Sequence, residues 1–386
     1  MQERLARKFR EQQDFAAEYA PLYARYFEVL AKWLEAEDAG YDPLVQWLLT
    51  IAEDVQPIKV TLLLIAGLHK EVLAGRLPEL ALYFPTAGGE RPFDGPDFEA
   101  ALREAILARR ALLTPFIQET QVQTNETGRG LCWLLPLALT GWEQVHLLDL
   151  GASAGLNLLA DQRHFQLLDS DTGLPLLELG RGQFPQFQSQ ASGAPPDLPQ
   201  HIKPLPHILS RTGGDLNPFS LDEEENALML MSFVWGEHTG RMDRLREGIR
   251  ARQFLEQPPV LLSLDLPEGL DAFLRDHFNK LTDPVVIYNT VMTFYLSDRG
   301  ESMRERIGQW AAGQSAPVLW LQWEPDPTNE PPRPYLMAWT VDRWHQGEHL
   351  QQRIGWAHPH GTEVYFEDDF AASRVFDTIQ ASSSEH

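Results

Sequence analysis

The stretch LLDLGASAGLNLL, residues 147–159, decides how the rest of the chain is read. With Val145 and His146 before it, VHLLDL is a short apolar run followed by turn residues, the pattern of a buried parallel strand. SAGLNLLADQR then reads as a helix. A loop joining such a strand to a helix needs glycine, because the backbone turns sharply and comes close to whatever lies above it. Gly151-Ala152-Ser153-Ala154-Gly155 satisfies G-x-S-x-G, the nucleophile elbow of hydrolases. The loop also sits where a nucleotide-type cofactor would meet the first strand of a Rossmann-like sheet, so Ser153 is either a nucleophile or a small residue beneath a cofactor.

Cofactor patterns separate further. A dinucleotide fingerprint would need glycine at 151, 153 and 156, and Ser153 and Leu156 fail it. The looser S-adenosylmethionine pattern, acid-x-G-x-x-x-G, is met by Asp149, Gly151 and Gly155, with Ser153 at a middle position that is usually glycine.

Strand and helix patterns alternate from about residue 145 onward. HILSRTGGDLNP, PVLLSLDL, DPVVIYNTV and APVLWLQWEP are strand candidates, separated by helical segments such as RMDRLREGIRARQFL and residues 302–312. That alternation implies a parallel sheet with helices on its faces. Residues 164–207 read as an insertion with a possible hairpin, and the C-terminal part reads as a terminal hairpin. Before residue 140 the apolar spacing is helical throughout: Phe15, Tyr19, Leu22, Tyr26, Leu30 and Trp33 mark one face, and Asp42-Pro43 reads as a helix cap and first turn.

Acids outnumber bases by 55 to 32, a formal charge of −23, which repels phosphate backbones and anionic lipid. Nucleic acid and membrane are therefore not expected as partners. One cysteine, Cys132, fits a reducing cytoplasm and reads as a small core residue. The first residues lack the apolar core of a signal peptide, and the longest apolar runs fall short of the roughly 20 residues of a membrane span. A cytoplasmic protein is expected.

Ligands in open α/β sheets bind beyond the carboxyl ends of the strands. Four acidic or amide residues stand at such ends: Asp149, Asp215, Asp265 and Asn289. Asp215 is placed to accept from ribose hydroxyls, Asp265 from an adenine amino group, and Asn289 to lie beside a reacting methyl. An acid after a strand is equally an ordinary cap or turn residue.

The stretches YFPTAGG, VQTNETGR, LLDLGASAGLNLLAD, GGDLNP, SFVWGE and WAHPHG resemble, in that order, a bacterial family catalogued as a domain of unknown function. That family is similar to class I S-adenosylmethionine-dependent methyltransferases behind a helical N-terminal region. The resemblance implies a cofactor pocket and no particular substrate. It identifies GGDLNP with the glycine-x-acid-x-x-proline phrase of the ribose-binding strand end; Asp169, at more usual spacing, competes with Asp215 but looks like a hairpin turn.

The expected architecture is a helical domain, residues 1–140, and an α/β, Rossmann-like methyltransferase-type domain, residues 141–386, with the insertion at about 164–207. The expected function is methyl transfer to an unknown small-molecule acceptor, uncharged or cationic. Glu126 and Asn289 are the candidate catalytic residues. Gln123, Asn125, Arg129 and Trp235 are candidates for the substrate side, with YFPTAGG as a nearby lid. Cofactor contacts fall to Asp149, Gly151, Ser153, Gly155, Asp215 and Asp265.

Two other readings stay open. A serine hydrolase would use Ser153 with His358 or His360, in the right chain order. Against it, no strand precedes Val145, no H-G-G-G motif is present, and Asp149 has no part in an elbow. A non-catalytic binding or sensing protein on the same fold is the other, because function lives in the site and not in the fold. His358 and His360 lack a third partner for a metal, so none is expected.

Overall fold

The computed structural model describes residues 1–122, 125–182, 187–279, 281–368, 370 and 374–376. The chain falls into two compact units: residues 1–124 with 221–246, and residues 125–220 with 247–386. It is a mixed α/β protein with a helical N-terminal region and a large sheet.

The first unit is helical. Its longer helices include Gln2–Ala16, Pro21–Glu35, Pro43–Asp54, Pro57–Leu73, Pro96–Glu119 and Glu224–Ser232. Four of them begin on proline, whose fixed φ and missing N–H suit the first helical position. Asp42 caps as its sequence predicts, accepting from the Leu44 amide at 2.8 Å. Pro57–Leu73 is apolar on most sides and forms the centre, with Val60, Leu63, Leu64, Leu68 and Val72 all buried.

The second unit is built on one eleven-stranded sheet. Its strands are Gln144–Leu150 (β1), Phe165–Asp169 (β2), Pro175–Leu179 (β3), Phe187–Ser192 (β4), His207–Asp215 (β5), Val260–Ser263 (β6), Val285–Thr290 (β7), Val318–Glu324 (β8), Met337–His345 (β9), Glu348–Ala357 (β10) and Glu363–Phe366 (β11). They lie in the order β3-β2-β4-β11-β10-β9-β8-β7-β1-β5-β6. Within this sheet β6, β5, β1, β7 and β8 are all parallel to their neighbours in that series. Strands β8 to β11 continue as an antiparallel meander.

β1 is the point where strand order reverses: the chain adds β5 and β6 on one side of it and β7 and β8 on the other. In open α/β sheets the carboxyl ends at such a reversal are the usual place for a ligand.

Three features differ from the sequence reading. The segment after β1 is a 3₁₀ run, Leu156–Gln162, in place of an α-helix. Asp161 within it is bound bidentately by Arg211 of β5 at 2.7 and 2.8 Å, and Arg163 just beyond it donates to the Thr127 carbonyl at 2.9 Å. These tethers turn the chain into β2 before a regular helix can extend. Residues 164–207 are no peripheral insertion: their three strands complete the far part of the sheet, with β2–β3 the expected hairpin. The helix Leu131–Thr140 shares its buried core with the strands, including Val145, Leu147 and Tyr288, so the helical unit ends nearer residue 124 than 140. Cys132 is part of that core and fully buried. Among the described residues no helix is long and apolar enough to cross a membrane.

Candidate functional site

The carboxyl end of β1 is held shut by β5. Gly151 and Ala152 both donate their amides to the Gly214 carbonyl, at 2.8 and 3.3 Å. Asp215 takes the next amide, that of Ser153, on Oδ2 at 2.8 Å, and the Asn217 amide on Oδ1 at 2.9 Å. Three successive N–H groups of the loop are thereby fixed to GGD of β5. The loop's conformation explains its composition: Gly151 has φ +85° and Gly155 φ +69°, where a side chain is strained. Ser153 itself adopts φ 50°. A Cβ on Gly213 would lie 2.6 Å from that of Ala152, so β5 must be bare where the loop crosses it.

Asp149 sits beneath this loop, 4% exposed. Tyr288 stands beside it in register on β7 and donates its hydroxyl at 2.8 Å. Burial pushes the Asp149 carboxyl up to about 7, and the charge of Asp215 adds to it; the Tyr288 bond and the Arg129 charge oppose the rise without cancelling it. At neutral pH this acid is poised between its two forms.

On the other flank, the segment 125–130 meets the turn 358–361. The Asn125 amide donates to Ser153 Oγ at 3.0 Å. Glu126, almost fully buried, faces His360 with 3.2 Å between Oε2 and Nδ1. Arg129 donates from Nε to the Pro359 carbonyl at 2.7 Å and reaches the Thr290 carbonyl of β7 at 3.4 Å. The approach is close because both turns are glycine-bearing: a Cβ on Gly128 would lie 2.6 Å from the His360 carbonyl. A carboxylate, an imidazole and a guanidinium thus converge on the ends of β1 and β7. His360 is about one-third exposed, with its Nδ1 buried on the side of Glu126.

The remaining candidates are placed as follows. Asp265 is exposed two residues past β6, and its carbonyl accepts from Gly269. Asn289 is fully buried, accepting from Trp320 Nε1 and donating to Glu324 Oε1, both at 2.8 Å. Its side chain is engaged inside the sheet, which corrects the expectation that it contacts an acceptor. Asp169, the competing ribose acid, holds Asp171, Thr172 and the Thr172 hydroxyl in a hairpin turn on β2, six strands removed from β1. Trp235 belongs to the first unit, where it stacks on Tyr23 and Tyr19 with centroids 4.6 and 5.0 Å apart. Gln123 lies outside the described residues.

Sequence reasoning missed Glu324. It is buried at the end of β8 and accepts from the amides of Met292 and Thr293, the Thr293 hydroxyl and Asn289. It therefore fixes the loop after β7, where Val291 takes φ 53° and Met292 lies against Gly151. Burial raises its carboxyl despite those donors. An acid inside the apolar strand VLWLQWE was the available signal.

The six resembling segments sort into two groups. Residues 125–129 of VQTNETGR meet LLDLGASAGLNLLAD, GGDLNP and WAHPHG in the second unit, while YFPTAGG and SFVWGE meet in the first, where the Thr86 amide donates to the Gly236 carbonyl at 2.9 Å. Residues 6–365 match the model of a family described as "Uncharacterized protein conserved in bacteria (DUF2332)". No curated protein and no solved structure matches the chain.

Proposed function

The chain belongs to the bacterial family DUF2332, and from that footing we propose that it is an S-adenosylmethionine-dependent methyltransferase acting on a small-molecule acceptor. The observation that carries the reading is the loop 151–155 at the reversal of strand order, clamped by Gly214 and Asp215. Near it stand acids at or just past three adjacent strand ends: Asp149 buried beneath the loop, Asp215 at the end of β5 and Asp265 exposed beyond β6. An ionised carboxylate has about four acceptor sites. Two on Asp215 hold amides, which leaves capacity for ribose hydroxyls.

The parallel series β6-β5-β1-β7-β8 supports a class I sheet in its strand order. The 3₁₀ run after β1 and the antiparallel meander beyond β8 depart from the ordinary version.

The cofactor supplies an electrophilic methyl group. The chain's own contribution is positioning, exclusion of water and uptake of a proton from the acceptor. Of the two residues expected to act on the acceptor, Glu126 lies 3.2 Å from His360, and in this reading the partly exposed imidazole is the group presented to the acceptor. Asn289 and Glu324 instead hold the neighbouring loop. The protein's acidic balance favours an uncharged or cationic acceptor.

Calorimetric titration with S-adenosylmethionine and with its demethylated product tests the reading. Micromolar binding of either supports it; no heat at high micromolar ligand removes it. Labelling of Ser153 by a fluorophosphonate would move the assignment to a hydrolase. Binding without turnover across an acceptor panel would favour a sensing protein.

A further inference from the structure

The helical unit contains a cavity of about 800 Å³, unconnected with the argument for methyl transfer. That volume lies in the range of small-molecule sites. Its lining includes the apolar residues Val72, Leu73, Pro78 and Pro85. Thr86 and Arg246 supply polar groups at its wall, with Asp243 beside them.

The wall is rigidly built. Thr86 is anchored through all three of its polar groups. Its amide donates to Gly236, its carbonyl accepts from Arg246 at 3.0 Å, and its hydroxyl meets His69 Nε2 at 2.7 Å. His69 is fully buried, and burial lowers its pKa to about 4, so the imidazole is neutral. Its Nδ1 faces the Ser232 carbonyl at 3.3 Å and so carries the hydrogen, which leaves Nε2 to accept from Thr86. A flexible lid would not be tied at so many points. Of the two resembling segments of this unit, YFPTAGG thus lines the cavity, and SFVWGE holds it from behind through Ser232 and Gly236.

Arg246 has donors to offer. A guanidinium carries five N–H groups. Thr86 takes one, and the Asp243 carboxylate is 3.6 Å away, too far for a good hydrogen bond. Asp243 is itself 73% exposed, so the pair is weak. Apolar lining in the same cavity as a partly exposed guanidinium matches one class of ligand.

We propose that this cavity binds a small organic anion, a carboxylate or phosphate monoester carrying an apolar body, with its head group on Arg246 and its body over Val72 and Leu73. Asp243 would then weaken the binding by its charge. The inference goes beyond the methyl-transfer reading and does not depend on it.

The test titrates phenyl phosphate and hexanoate separately into the full chain by calorimetry. The expected result is saturable binding of at least one, and the tighter of the two names the head group. Asp243→Asn removes a competing charge at an exposed position and should tighten binding by about fivefold. Ala87→Phe, a bulkier side chain at an exposed lining position, should weaken it by about tenfold or more. Arg246→Gln should abolish it, with circular dichroism reporting whether the loss of the Thr86 contact disturbs the fold. The proposal is overturned if neither anion binds at roughly 10 mM, or if affinities are the same in wild type, Asp243→Asn and Ala87→Phe.

Discussion

Asp149→Asn probes the buried acid under the cofactor loop without reference to any substrate. In the native state the carboxyl is raised from 3.8 to about 7, chiefly by burial. A raised acid favours the protonated folded state, so its contribution to stability is best at low pH and is lost as pH rises from its unfolded value through its folded one. At about 1.4 kcal/mol per pH unit, the full loss is about 4 kcal/mol, of which roughly 2–3 kcal/mol accrues between pH 5 and 8. Asparagine has the same shape, can still accept from Tyr288 and does not titrate. Its amide changes stability by a constant amount, so the informative quantity is the slope. Urea unfolding of wild type and Asp149→Asn should be measured from pH 5 to 8, and the free energies subtracted at each pH. The variant should gain on wild type by roughly 2–3 kcal/mol across that interval. A difference that stays flat, or that moves the other way, would show that Asp149 is ionised throughout and that its burial is compensated by charges close to it.

Other substitutions test other parts of the site. Gly213→Ala places a methyl 2.6 Å from the Ala152 Cβ and 2.7 Å from Leu261. It should cost about 1–3 kcal/mol by thermal unfolding, and an unchanged melting temperature would mean β5 and the loop are not in that contact. Glu324→Gln replaces an acceptor by a donor facing the Met292 and Thr293 amides, at a cost of about 1–3 kcal/mol. Those two amides should exchange with solvent faster than in wild type; equal protection would contradict the clamp. Asp215→Ala removes the carboxylate that holds the Ser153 amide and should weaken S-adenosylmethionine binding by about 10- to 100-fold. Unaltered affinity would end the ribose assignment.

Much of the second unit was legible because its strands are local signals. VHLLDL, VVIYNT and VLWLQWE are apolar runs flanked by turns, and they became β1, β7 and β8. Asp169 was readable as a turn residue because its partners lie two and three positions away. What was not legible depends on distant pairing. Asn289 looks like a strand-end ligand until Glu324 and Trp320 arrive from β8 to bury it. Glu126 and His360 are far apart in sequence, and only the antiparallel meander brings WAHPHG beside residues 126–129. LNLLADQ has helical spacing, yet Arg211 from β5 decides its conformation. Trp235 looked like a ligand platform because nothing near it in sequence shows that Tyr19 and Tyr23 stack on it.

The central claim is that the carboxyl ends of β1 and β5 take an adenosyl cofactor. A crystal structure of the complex with S-adenosylhomocysteine tests it most directly. The account predicts the ribose hydroxyls on Asp215 and the loop 151–155 against the ligand. Ligand bound elsewhere, or a ribose with no contact to Asp215, would contradict it.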